Sequence, residues 1–251
     1  MRNLIASLSA ALVALAAAPA FAQAPPPDSV TQVFRQKARP GMTAEYEAGR
    51  KKHFGWHKAQ GDPWAWNTYE VTTGPDTGAY IIASPNHQWA DFDVWEAKFA
   101  AGDTADADAS MGSSRGPSQM AFWTQLNSLS RLPAADAAPT PLASLTTYSV
   151  KPGHDAAMTA TIGKINAALT AANYPLHSIW YRLVNGGPAP AYAVVTPRAN
   201  MATFSNVVTT VIGKQLGTAA AEALGKEFFD HVTAVQTELL QRRADLSYAP
   251  N

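Results

Sequence analysis

The chain of 251 residues contains no cysteine. That absence excludes disulfide staples, a lipid-anchoring thiol and thiol chemistry, so stability must come from packing. Charge is scarce as well: Asp, Glu, Lys and Arg make up 15% of the residues, and 19 basic side chains face 19 acidic ones. A balance this close to zero offers no electrostatic reason to expect nucleic acid or an anionic membrane as partner. No glycine-rich phosphate loop and no G-x-S-x-G elbow occurs, which removes two common catalytic signatures. No apolar run reaches the ~20 residues that a membrane-spanning helix requires. The longest, Leu4 to Ala18, follows Arg2 and leads to the small-residue exit Ala20-Phe21-Ala22, the layout of a secretory signal peptide. Residues 1–22 are therefore read as a removable leader, and a periplasmic or secreted bacterial protein is expected.

Internal symmetry is what the remaining chain does offer. At an ungapped offset of 112, Pro40-Gly41 falls on Pro152-Gly153, Pro63 on Pro175, Tyr69 on Tyr181, Gly74 on Gly186, Ala79-Tyr80 on Ala191-Tyr192, Pro85 on Pro197 and Phe92 on Phe204. Matched turn residues and strand aromatics without a gap indicate a tandem duplication. The units span 23–132 and 142–251, joined by the proline-rich linker PAADAAPTP at 133–141.

Each unit shows the same order of elements. Val30 to Ala38 and Leu142 to Val150 are extended, and the turns at Pro40-Gly41 and Pro152-Gly153 lead into helices of about five turns from Thr43 and Asp155. Strand pairs follow, Trp64 to Thr73 with Gly78 to Ser84, and Leu176 to Val184 with Ala191 to Thr196, joined by GPDTG and NGGPAP. Helical segments are expected after Asn86 and Asn200, and closing helices over Ser118 to Leu132 and Glu222 to Arg243. In the last of these, Leu224, Phe228, Val232, Val235 and Leu239 recur at helical spacing. Gly102 to Pro117, poor in apolar residues, reads as a loop, and no final strand is visible in either unit.

A β-α-β-β-α order repeated twice predicts an α+β fold of two tandem ferredoxin-like units, antiparallel sheets with helices on one face. The RPGM and KPGH turns and the hairpins YEVTTGPDTGAYIIASP and YRLVNGGPAPAYAVVTP resemble the dimeric α+β barrel superfamily, including its antibiotic-biosynthesis monooxygenase and NIPSNAP groups. The resemblance covers roughly residues 30–100 and 142–212. It implies that the two units pair through their sheets into an intrachain barrel, with any ligand between sheet and helices. It also brings cofactor-independent and haem-using oxidoreductases into view.

The duplication singles out one helix face. Met158, Ile162, Ile165 and Leu169 form an apolar stripe in the second unit, and their counterparts 112 residues earlier are Tyr46, Arg50, His53 and His57. Two rotations of this helix are open: one buries the ionisable stripe beside a lined cavity, the other leaves it solvated and buries Phe54 with the rim of Trp56. In the first, His53 and His57 are candidate proton-transfer groups or axial ligands, with Arg50 and Tyr46 orienting a polar end of the ligand. Trp64 and Trp66 alternate along the next strand, Asn67 and Tyr69 occupy its other face, and all four are candidate ligand contacts.

No metal site is expected, because the histidine pair lacks the Glu of HExxH and has no third ligand within sequence reach. Asp103 to Asp108 read as solvated loop acids, and His87, His154, His177 and His231 as structural or exposed. The expected partner is a small apolar or planar molecule bound without chemistry; a monooxygenase-like oxidoreductase is the alternative. The cofactor is unassigned, and a homodimer stays open.

Overall fold

The structure is a computed structural model that describes residues 27–250. The leader expected at 1–22 lies outside those residues. Eight strands and five α-helices follow in the order β1 Ser29–Ala38, α1 Thr43–Gln60, β2 Asn67–Val71, β3 Ala79–His87, α2 Trp89–Met111, β4 Arg115–Gln125, β5 Leu142–Val150, α3 Asp155–Ala171, β6 Ile179–Asn185, β7 Ala191–Arg198, α4 Val208–Leu216, α5 Thr218–Asp230 and β8 Val232–Arg242. The strands close into an antiparallel barrel with the order β1-β3-β2-β8-β5-β7-β6-β4. Within each half the last strand lies beside the first, and the third separates first from second. The halves join where β2 meets β8 and β4 meets β6. Closure leaves no unpaired edge, so the sheet needs no second copy to satisfy its backbone.

Two of the expected helices differ from the structure. Ser118 to Leu132, read as a helix, is largely β4, and the expected closing helix Glu222 to Arg243 ends at Asp230 and continues as β8. Thr233 to Thr237 are exposed and alternation sets in from Glu238, with Glu238 and Leu240 buried and Leu239 less so, although the apolar residues of this segment also satisfy a helical spacing. These are the final strands that neither unit revealed in sequence. Their pairing energy comes from the distant partners β1, β6, β5 and β2, which no local pattern contains.

Gly102 to Pro117, read as a loop, supplies the end of α2 and the start of β4. Alanine-rich sequence favours the helix intrinsically, and few apolar residues suffice because only Trp95, Phe99, Ala107 and Met111 of α2 are buried. The second half splits the equivalent helix into α4 and α5 at Gly217, whose φ of +86° suits glycine. Residues 132–141 contain no helix or strand.

Alternation along the strands separates two apolar layers. Val71, Ala79, Ile81, Ala143 and Leu240 come from both halves and meet inside the barrel. Tyr80 and Ile82 point outward, under α1 and α2, into a core with Tyr46, Phe54, Trp66, Trp95 and Met111. The equivalent layer of the second half packs Val150, Met158, Ile162, Trp180, Tyr192 and Phe228.

One ion pair ties the two halves together. Arg35 of β1 donates two hydrogen bonds to Glu238 of β8, at 2.9 and 2.8 Å, and the Glu238 side chain is 1% exposed. Arg35→Met leaves that carboxylate buried without its cation, so urea unfolding should show a loss of about 3 kcal/mol. Adding Glu238→Leu should recover much of it; an unchanged single-mutant midpoint contradicts the role given to this pair.

A second ionic cluster holds the C-terminal segment on α1, where Arg243 bonds Glu47, Glu70 and Asp245. Hydrogen bonds from Arg243 hold both the Glu47 and Asp245 carboxyls below their usual range. A depressed folded-state pKa stabilises fully above the unfolded carboxylate value near pH ~4 and is lost as pH falls through the folded one. Arg243→Ala should therefore lower stability at pH 7 while making the remaining loss between pH 4 and 2 shallower, as read by denaturation at a series of pH values.

Candidate functional site

Glycines set the spacing of α1 and α2. A methyl group added at Gly49 would collide with the Ser110 carbonyl oxygen, and one at Gly102 would lie 2.8 Å from the Trp56 ring. Both glycines thus permit a close helix–helix approach that brings acids of α2 to histidines of α1. The second, solvated rotation of α1 does not occur: Tyr46, Arg50, His53 and His57 are all buried, with His57 at 1% exposure.

Asp62 organises the centre of this layer. It follows Gly61, whose left-handed φ of +64° ends α1 and turns the chain back under the helix. The carboxylate accepts from His57 Nδ1 at 2.7 Å, from the Trp64 backbone N–H at 3.0 Å and from the Trp66 and Trp95 indoles at 3.1 Å each. The Tyr248 hydroxyl donates to the Asp62 carbonyl at 2.8 Å. Desolvation would push this carboxyl up, but the bonds from His57, Trp64 and Trp66 outweigh it and hold it below its usual value.

An ionised Asp62 can only accept, so Nδ1 of His57 carries a hydrogen, and in the neutral imidazole Nε2 then keeps the lone pair. His53 repeats the arrangement, its Nδ1 lying 2.9 Å from Asp106. The two Nε2 atoms are 3.2 Å apart, and each is 3.3 Å from Oδ1 of Asp103. These groups face a cavity of about 80 Å³ whose walls include Phe34, Gln36, Arg50, Trp66 and Arg115. Burial lowers the Arg50 pKa, and its Nε has no hydrogen-bond partner among the described residues.

The remaining candidates are placed less uniformly. Tyr46 donates to Gln36 and supports the wall from behind, its own pKa raised by burial. Trp64 does not face the cavity; it stacks on His87 at 3.8 Å and on Trp95 at 5.1 Å. Asn67 and Tyr69 lie on the opposite face of β2, where Tyr69 packs with the barrel interior, so neither joins the histidines. His87 is buried against Ser84, and His154 pairs with His231 in the second half.

Asp62, Asp103 and Asp106 are the site residues that sequence reasoning missed. Asp62, five residues beyond His57, was within local reach. Asp103 and Asp106 lie three apart on one helix, a signal visible only once that segment is read as helical. A wider cleft of about 260 Å³ adjoins this layer between α2 and strands β1 and β4, lined by Gln32, Phe92, Trp95, Met120 and Phe122 among others.

No protein-family model and no curated protein matches this chain. Solved structures do. A provisionally assigned monooxygenase from Lactobacillus acidophilus superposes with a TM-score of 0.58 over 90% of this chain and 98% of its own, at 9% identity. A second such protein from Fusobacterium nucleatum gives 0.59 over 85% and 92%, at 12% identity. Chlorite dismutase from Candidatus Nitrospira defluvii gives 0.52 over 86% and 92%, at 10% identity. At these identities the likeness concerns the fold alone, a closed antiparallel barrel with helices packed on its outside.

The superfamily resemblance also raises haem, and the histidine site does not fit it. A macrocycle requires a pocket of several hundred Å³, against about 80 Å³ at His53 and His57. The equivalent layer of the second half is filled by Met158, Ile162, Trp180 and Phe228.

Asp62→Asn replaces an acceptor facing four donors by an amide that presents N–H groups of its own. A loss of about 3 kcal/mol or more in urea unfolding is expected, with displaced Trp66 and Trp95 indole N–H resonances. Wild-type stability and indole shifts would contradict the central place given to Asp62.

Proposed function

We propose that this protein binds a small planar or apolar molecule along the α2 face of its first half, with a polar oxygen of that molecule directed to the His53–His57–Asp103 cluster. In this reading the chain is a tandem pair of ferredoxin-like units, exported through its leader to the periplasm or beyond. The observation that carries it is the pair of Nε2 atoms turned toward one cavity by carboxylates at the opposite ring nitrogens, Asp62 and Asp106. Orienting two buried imidazoles with separate carboxylates stabilises nothing that a plain apolar stripe, as in α3, would not provide more simply. The larger cleft supplies aromatic walls in Phe92, Trp95 and Phe122, and the buried Arg50 supplies positive charge beside the histidines.

A second reading follows from the same Nε2 atoms. His57, oriented by a carboxylate, suits proton abstraction from an activated C–H or O–H group, with Arg50 balancing the anion formed. Oxidoreductase descriptions among the fold neighbours, including an anthrone oxidase-like protein, are in keeping with that chemistry.

Both readings are tested by titrating planar aromatic ketones and phenols, anthrone first, against tryptophan fluorescence while following oxygen uptake. Saturable quenching, weakened about tenfold by Phe92→Ala, is the expected outcome. Oxygen uptake falling about a hundredfold in His57→Ala, with binding retained, would establish the second reading over the first. Absence of saturable quenching across the panel would sink both.

A further inference from the structure

We infer that His53, His57 and Asp103 form a binding site for one divalent transition metal ion, zinc-like in geometry. The three donor atoms define a triangle with edges of 3.2, 3.3 and 3.3 Å. A regular tetrahedron with edges of that length has its centre about 2.0 Å from each corner, which is the Zn–N and Zn–O bond length. An octahedron on the same edges would require about 2.3 Å, too long for Mg²⁺. Ca²⁺ tolerates that distance but takes six to eight oxygen ligands, whereas two of these three donors are imidazole nitrogens.

The surroundings match the same chemistry. Each histidine gives its Nδ1 hydrogen to a separate carboxylate, His57 to Asp62 and His53 to Asp106, which fixes the ring orientation and, in the neutral imidazole, the tautomer that leaves Nε2 free to ligate. Two imidazole lone pairs facing each other at 3.2 Å repel unless a cation or a shared proton lies between them. All three donors line the 80 Å³ cavity, which has room for water as a fourth ligand. Asp103 is 26% exposed at its side chain, so an ion can enter from the α2 side. The two histidines alone read as a weak metal signal; the third ligand lies about fifty residues downstream and arrives only through the α1–α2 contact at Gly49 and Gly102.

This inference rests on the reading that the cavity is the functional site, and it names what occupies its polar end; proton acceptance by His57 then belongs to the metal-free protein. The test uses the full chain, stripped with chelator and titrated with Co²⁺ and then Zn²⁺. One Co²⁺ per chain is expected, with the intense visible absorption of four-coordinate cobalt, displaced by Zn²⁺. Asp106→Asn should weaken binding by about 10 to 100-fold. Asp103→Ala should abolish the four-coordinate spectrum and weaken binding by at least that factor, and its unchanged thermal midpoint in chelator shows that it still folds. Absence of binding, the faint spectrum of six-coordinate cobalt, or wild-type affinity in Asp103→Ala would overturn the metal site. The aromatic-ligand titration, repeated on the stripped chain, keeps the two ideas apart. Quenching without metal uptake overturns the metal and leaves the ligand reading, and metal uptake without quenching does the reverse.

Discussion

The buried carboxylate of Asp62 is the constraint on which the first half depends. A charge removed from water must have its lone pairs filled, and here a histidine, a backbone N–H and two indoles fill them. Those four donors belong to α1, to the chain leading into β2 and to α2. Satisfying one carboxylate therefore determines how both helices sit on the sheet. It also determines which nitrogen of His57 carries hydrogen, so the same contact that orders the core sets the chemistry of the cavity.

The α1–α2 contact is the second requirement. Side chains at positions 49 and 102 would hold the helices apart, and Asp103 and Asp106 would then fall short of the imidazoles. α3, the counterpart of α1, carries Met158, Ile162 and Leu169 at the corresponding places and meets two short helices instead of one long one. Two halves with the same order of elements thus have different contents: an apolar layer in the second, and a polar centre wrapped in aromatics in the first. The barrel carries both because its closure depends on backbone pairing and on the interior cluster, neither of which sees the outer face.

Much of the frame was legible in sequence. The offset of 112 residues carries α1 onto α3, β2 onto β6 and β3 onto β7 within a residue or two, because these elements are bounded by local turn chemistry at proline and glycine. The stripe of Tyr46, Arg50, His53 and His57 stood out by comparison with its apolar counterpart. What misled was periodicity in short segments. Val232, Val235 and Leu239 satisfy a helical spacing, yet they lie on a strand whose partners are remote. Asn67 and Tyr69 were assigned by strand alternation, and that alternation is what sends them into the barrel, away from the histidines.

By itself the sequence determined the absence of cysteine chemistry, the order of the first four elements in each half, and the ionisable face of one helix, since each is a property of composition or of residues within one or two turns. Tertiary structure alone decided that the final segments are strands, that eight strands close without an edge, and that Asp62, Asp103 and Asp106 meet His53 and His57. The physical reason is common to all three. Strand pairing and side-chain convergence draw their free energy from groups that approach only when distant segments fold together, and no local pattern records that approach.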